Sequence, residues 1–264
     1  MPQAPLNTGI GTPEAMPILE MIRLEKRFGG IVAAHDISLA VERGARRALI
    51  GPNGAGKTTV VNLLTGVLKP TGGRILLDGV DVTALEPYRR VRLGMARTFQ
   101  INQLFADLTP LESIGLAVSE RMGFGRDWWR LVGSRRGITS EIADILERFR
   151  LADVMHQRTA TLPYGKQRLL EIALAFACRP RVLLLDEPAA GVPDAERHEL
   201  LATIAALPQE VTVLLIEHDM DLVFSFADRI SVLVNGALLV DGAPEEVARD
   251  PRVKAVYLGE ELDA

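Results

Sequence analysis

The sequence predicts an α/β protein interrupted by a helical insertion, and three observations predict it. Strand-sized apolar runs recur in both halves of the chain. A glycine-rich turn joins one of them directly to a helical pattern. Between about Leu111 and Ala177 the apolar residues fall mostly at helical spacing. An α/β order that breaks for helices and then resumes describes one core with an insertion at about 101–177.

Taken in order, Ile18 to Leu24, Ile37 to Val41 and Ala45 to Ile50 read as strands separated by polar or Gly-containing breaks. Lys57 to Leu68 reads as a helix that stops before Pro70. Short strands follow at Arg74 to Leu77 and near Ala96 to Phe99. Within the helical stretch, Leu146 to Val154 and Leu169 to Ala177 carry the clearest periodicity. Strands return at Val182 to Leu185, Val211 to Ile216 and Ile230 to Val234, with a helix from about Ala195 to Leu207. Gly123 to Gly137, with Trp128 and Trp129, is the least regular part.

Composition narrows the function classes. With 264 residues the chain can bury a substantial core. Lys and Arg total 30 against 34 Asp and Glu, a net charge of −4, which argues against a nucleic-acid binder. The single cysteine, Cys178, excludes an intrachain disulfide and a Cys-rich metal site, and fits a reducing compartment. No run reaches the roughly 18 apolar residues of a membrane-spanning helix. Met1 to Leu19 holds four prolines and no Lys or Arg, so it reads as a flexible tail rather than a secretory signal. A soluble, cytoplasmic protein is expected, free to dock on a membrane partner.

The chemistry begins at Gly51-Pro52-Asn53-Gly54-Ala55-Gly56-Lys57-Thr58, which matches G-x-x-x-x-G-K-[ST] between a strand and a helix. Glycines let backbone N–H groups turn inward around phosphate oxygens. The helix N-terminus adds partial positive charge. Lys57 supplies a full charge to the β- and γ-phosphates, and Thr58 offers a hydroxyl to Mg²⁺. A second acidic motif agrees. Val182 to Glu187 is a buried strand ending in Asp186, suited to the Mg²⁺ water shell, and Glu187, suited to polarising water for in-line attack. A strand ending in two acids is often only a surface turn, but beside the phosphate loop it points to nucleotide hydrolysis.

Four further features, in the same order, make the chain resemble the ATPase subunits of ABC transporters. They are Phe28, Gln100 within Arg97-Thr98-Phe99-Gln100, Leu162-Pro163-Tyr164-Gly165-Lys166-Gln167 at the place of the family signature, and His218 within Ile216-Glu217-His218-Asp219. Taken singly, Phe28 reads equally as core packing, Gln100 as a turn residue and His218 as a strand-end residue. The resemblance spans Leu19 to Gly259. It implies a P-loop ATPase core with a mixed sheet, an N-terminal antiparallel β subdomain and the helical subdomain insertion. The implied organisation is one ATPase domain at 19–259 between tails at 1–18 and 260–264.

The resemblance further implies that ATP is held by Phe28, by Gly51 to Lys57, and by Thr58 and Thr59. Thr58, Gln100 and Asp186 would hold Mg²⁺; Glu187, Gln100 and His218 would be catalytic. Leu162 to Gln167 would act in trans, on nucleotide held by a second ATPase subunit. Two transmembrane permease subunits, and indirectly a solute-binding protein, are the other implied partners, at the cytoplasmic face of the inner membrane. Gly29-Gly30, the Arg-Thr-Phe-Gln block, Tyr164-Gly165, Glu187 to Gly191, Ile216 to Met220 and the tail segments Gly242 to Glu246 and Val256 to Gly259 are similar to importers of branched-chain amino acids. Trp128 and Trp129 fall where that subfamily carries an extra stretch; a permease contact and a packed loop both fit. The alternatives are the ATPase of lipopolysaccharide export, a non-transport ABC ATPase, and a regulatory module that does not hydrolyse. The last is opposed by Glu187 and His218.

Two positions depart from the family pattern. Pro163 replaces the usual signature Ser, and Pro193 stands where Asp or Asn is usual, with Asp194 next. Proline lacks both hydroxyl and N–H. Either both prolines simply start helices, or the two composite ATP sites of a dimer are unequal.

Overall fold

The structure, a computed structural model, describes residues 16–98, 104–123 and 136–258. The chain opens on an antiparallel hairpin, β1 (Leu19–Phe28) and β2 (Ile31–Val41). Ile18 is already buried and donates its N–H to Val41 O at 2.8 Å. The register shifts repeatedly along the hairpin, and Arg23 and Asp36 adopt left-handed φ of 47°. Such bulges break strict alternation, so the sequence shows only parts of these long strands.

Next come β3 (Arg46–Ile50) and α1 (Lys57–Thr65). The helix ends three residues before the sequence expectation because Gly66, at φ 82°, turns the chain left-handed and caps it. Then follow β4 (Gly72–Leu77), β5 (Val80–Asp81), α2 (Pro87–Arg92) and β6 (Met95–Arg97). Strands β2-β1-β4-β5 form a four-stranded antiparallel sheet.

Helices occupy the described residues between β6 and β7: α3 (Pro110–Arg121), α4 (Arg136–Arg148) and α5 (Tyr164–Ala177). Thr109 and Glu112 start α3 with a reciprocal capping box. The expected helical run 146–154 is divided: α4 stops at Arg148, Arg150 sits at φ 52°, and Ala152–Val154 is a 3₁₀ turn. The rest of the chain is β7 (Val182–Asp186), α6 (Asp194–Ala205), β8 (Thr212–Ile216), α7 (Met220–Phe226), β9 (Arg229–Val234), β10 (Ala237–Gly242), α8 (Pro244–Arg249) and α9 (Pro251–Leu258).

The second sheet has the order β10-β9-β3-β8-β7-β6. Its neighbours are parallel except the antiparallel edge strand β10. It is buried on both faces. Leu183 and Leu185 of β7 join the core under the helical region, while Val182 and Leu184 join the core shared with the antiparallel sheet and α1. Alternation along one strand therefore feeds two cores. Parallel strands all end on one edge, and that edge is where α/β sheets bind ligands. Among the described residues, no helix is long and apolar enough to cross a membrane.

Candidate active site

The carboxyl ends of β3, β7 and β8 lead into Gly51 to Thr58, into Asp186 and Glu187, and into His218. Beyond β3, the chain turns through Gly51 to Gly56 into α1. Gly56 is the N-cap of α1 at φ 99°, and a Cβ there would stand 2.5 Å from Ala33 O on β2. Only glycine fits that turn. The hairpin that backs the loop also carries Phe28 at its tip, 46% exposed, with Lys26 Nζ 4.9 Å from the ring centroid.

Lys57 is buried and curls back over the loop. Its Nζ donates to Gly51 O at 2.6 Å and Pro52 O at 3.1 Å. Burial lowers its pKa, while the charges of Glu187 and Asp186 pull the other way. Thr58 in the first turn, Asn62 one turn on, Arg97, Asp186, Glu187 and Arg168 share a cleft of about 440 Å³.

Asp186 ends β7, and its N–H donates to Thr98 Oγ1 at 3.3 Å. Glu187 follows in a left-handed conformation, φ 47°, with its N–H on Ile216 O at 2.9 Å. A non-glycine residue held there is strained backbone, and its carboxylate is 46% exposed. His218 projects from the end of β8, with Nδ1 3.8 Å from Glu187 Oε1. Buried Glu217 supports both: it accepts from Ala189 N–H at 3.2 Å and His218 N–H at 3.1 Å. Burial pushes the Glu217 carboxyl pKa up.

Gln100 lies outside the described residues, as do Trp128 and Trp129. The segment 162–167 lies at the start of α5. Leu162 is buried, and Pro163 is the N-cap with no side-chain cap. Tyr164 Oη donates to Ala190 O at 3.3 Å, and Gly165 N–H donates to Glu196 Oε2 at 2.6 Å. Lys166 Nζ donates to Arg150 O at 2.5 Å and pairs with Glu199 at 3.2 Å; Gln167 Nε2 donates to Leu162 O at 2.9 Å. Sequence reasoning missed Arg97, Glu196 and Glu217, whose roles arise from pairings between distant segments, and Glu171, whose partner Arg168 is one turn away but whose role arises from burial. Only the apolar flanks of Glu171 and Glu217 hint at burial.

Residues 34–190 match the sequence model described as "ABC transporter". The chain belongs to the ABC transporter family, as one of its ATP-binding subunits. Residues 237–263 match the model of the branched-chain amino acid ATP-binding cassette transporters. The cassette is 45% identical over 251 residues to the high-affinity branched-chain amino acid transport ATP-binding protein BraF of Pseudomonas aeruginosa, covering 92% of this chain and 98% of that protein. It is 42% identical over 253 residues to LivG of Escherichia coli, which has the same descriptive name, covering 93% and 99%. Among solved structures, a nucleotide-free ATP-binding cassette from an ABC transporter superposes with a TM-score of 0.80 at 30% identity, covering 93% of this chain and 100% of that one. The ADP conformation of an ABC transporter cassette gives 0.79 at 31%, with the same coverages. The chain is therefore an ATPase with the cassette fold.

Proposed function

We propose that this chain is the ATP-hydrolysing subunit of an importer of branched-chain or related hydrophobic amino acids. The observation that carries the chemical reading is the convergence of Lys57, Thr58, Asp186, Glu187 and His218 at one sheet edge. The names of BraF and LivG, over nearly their whole length, support the substrate class.

The roles follow from position. The loop 51–56 and the N-terminus of α1 cradle phosphates, and Lys57 leaves its carbonyl partners to meet them. Phe28 stacks on the base. Thr58 and Asp186 offer one hydroxyl and one carboxylate to the same cleft. Among the described residues, no group of three His, Cys, Asp or Glu could hold a metal alone. That sparse oxygen set fits Mg²⁺, which keeps most of its ligands from water and phosphate. When bound, Mg²⁺ would neutralise charge developing on the phosphates. Glu187 would accept a proton from the attacking water and His218 would contact the γ-phosphate, while Gln100, outside the described residues, would bind Mg²⁺ or the attacking water. Leu162 to Gln167 serve a second ATPase subunit, and permease subunits carry the solute across the membrane at whose cytoplasmic face this chain docks.

Glu187→Gln tests the reading. The variant is expected to bind ATP as the wild type does and to lose turnover by about 10²–10⁴-fold, the usual worth of a general base. Labelled leucine uptake by cells carrying the chain and its permeases should fall with it. Turnover close to wild type would remove Glu187 from the mechanism. Normal ATPase loss with unchanged leucine uptake would remove the substrate assignment.

A further inference from the structure

Arg97 has no part in the roles above, yet its guanidinium reaches into the cleft. It is the last residue of β6, whose register with β7 puts it beside Leu184. Nη2 donates to Asp186 Oδ2 at 2.5 Å and Nη1 donates to Asn62 Oδ1 at 2.8 Å. Asn62 lies on α1, four residues after Thr58, so the two share a helix face. Thr98 adds a second hold: its N–H donates to Leu184 O at 3.0 Å, and its hydroxyl accepts the Asp186 N–H. Asp186 is thus fixed at its backbone and at one carboxylate oxygen. The Arg97 and Asp186 side chains are 22% and 20% exposed, so water screens the pair only in part.

We propose that Arg97 is a positioning residue for the magnesium ion: anchored by Asn62, it holds Asp186 Oδ2 and leaves Oδ1 for the metal's ligand shell beside Thr58. The inference rests on the magnesium-nucleotide reading of the cleft. Two observations favour it over simple packing. Among the described residues, Oδ1 has no hydrogen-bond partner. Thr58, one turn before Asn62 on α1, lines the same cleft as Asp186. A guanidinium suits this task because its planar fork reaches two acceptors in fixed directions, which an ammonium cannot do.

The test reads binding, not turnover. ADP affinity of the full chain is measured by calorimetry in excess Mg²⁺ and in EDTA, for the wild type, Arg97→Ala, Arg97→Lys and Asn62→Ala. The quantity is the gain in affinity that Mg²⁺ confers. Arg97→Ala is expected to cut that gain by about 10-fold or more, the usual cost of removing a group that orients a metal ligand, with EDTA affinity unchanged. Asn62→Ala, which removes the anchor of Arg97 and leaves the charges of Arg97 and Asp186 in place, is expected to lose part of the gain. Adding it to Arg97→Ala should cost nothing more. Arg97→Lys should resemble Arg97→Ala, and keeps the test alive if the alanine variant does not fold. A wild-type gain in every variant would overturn the proposal. So would a larger gain, which would make Arg97 a competitor of the metal, or an equal loss in EDTA, which would make it a packing residue. No gain in the wild type itself would overturn the magnesium reading and this inference with it.

Discussion

Glu171 makes the pH dependence of stability calculable. It lies on α5 with 3% of its surface exposed, and accepts from Arg168 Nη1 at 2.8 Å. Burial pushes its carboxyl up to about 7 from an ordinary 4.5, against the opposing pull of Arg168; the nearby Asp186 charge adds to the rise. A native value above the unfolded one means that the folded state binds the proton more tightly. The stability it contributes is therefore complete below about pH 4.5 and is lost as pH rises through about 7. Linkage between those two values gives a loss of about 2 kcal/mol between pH 5.5 and pH 8. Glu171→Gln has no such proton. Urea denaturation of both proteins at the two pH values should show the wild type losing about 2 kcal/mol relative to the variant as pH rises. Glu217, also pushed up by burial, titrates in both proteins and cancels in the difference. A difference independent of pH, or one that moves in favour of the wild type, would refute the argument by showing that Arg168 outweighs burial.

Lys57→Ala should keep the fold and lose nucleotide affinity by about 10-fold or more, since a charge-assisted hydrogen bond is worth about 1.5–3 kcal/mol; fluorescent ADP titration measures it. Phe28→Ala should weaken ATP binding by about 1–3 kcal/mol if base stacking here equals that measured for nucleic-acid bases, while Phe28→Tyr is silent. Unchanged affinity in Phe28→Ala would return the ring to a packing role beside Lys26.

The fold was legible where short-range pattern decides it. The strand at 182–185 and the helix beginning at Lys57 needed only apolar runs and a glycine turn. The β1–β2 hairpin was legible only in part, because bulges at Arg23 and Asp36 reset its alternation. The helices α2 and α7 escaped because six or seven residues hold barely two turns, too few for a period to register. The same limit holds at the site. Lys57 and Glu187 stand in contiguous motifs, and the structure sets them near enough for their charges to interact. Arg97, paired with Asp186 across 89 residues and with Asn62 across 35, stands in no motif that marks it as a partner. Contacts of that kind depend on how β6 is set beside β7 and α1, elements far from it in the chain, so the residues flanking Arg97 do not show them.

Strand and helix placement also bear on the two prolines. Pro163 and Pro193 are the N-caps of α5 and α6, and neither supplies a side-chain cap. At α5 the missing hydroxyl has been replaced from outside: the Gly165 N–H donates to Glu196 Oε2 from the first turn of α6. A Cβ at Gly165 would run into that same carboxylate. A negative charge suits a helix N-terminus, and a lost N-cap costs about 0.5–2 kcal/mol. Glu196→Ala should therefore destabilise the chain by about 1–2 kcal/mol. In a Pro163→Ser background the cost should shrink, because the new hydroxyl can take over an N–H of the first turn. The coupling between the two changes, read from denaturation midpoints in a double-mutant cycle, is the decisive quantity. The Glu196 carboxylate also sits where any incoming phosphate would seek the same N–H, so Pro163→Ser is expected to raise ATPase turnover at high protein concentration, where subunits pair. Strict additivity of the two changes, with turnover unmoved, would leave Pro163 as a residue that starts a helix and does nothing more.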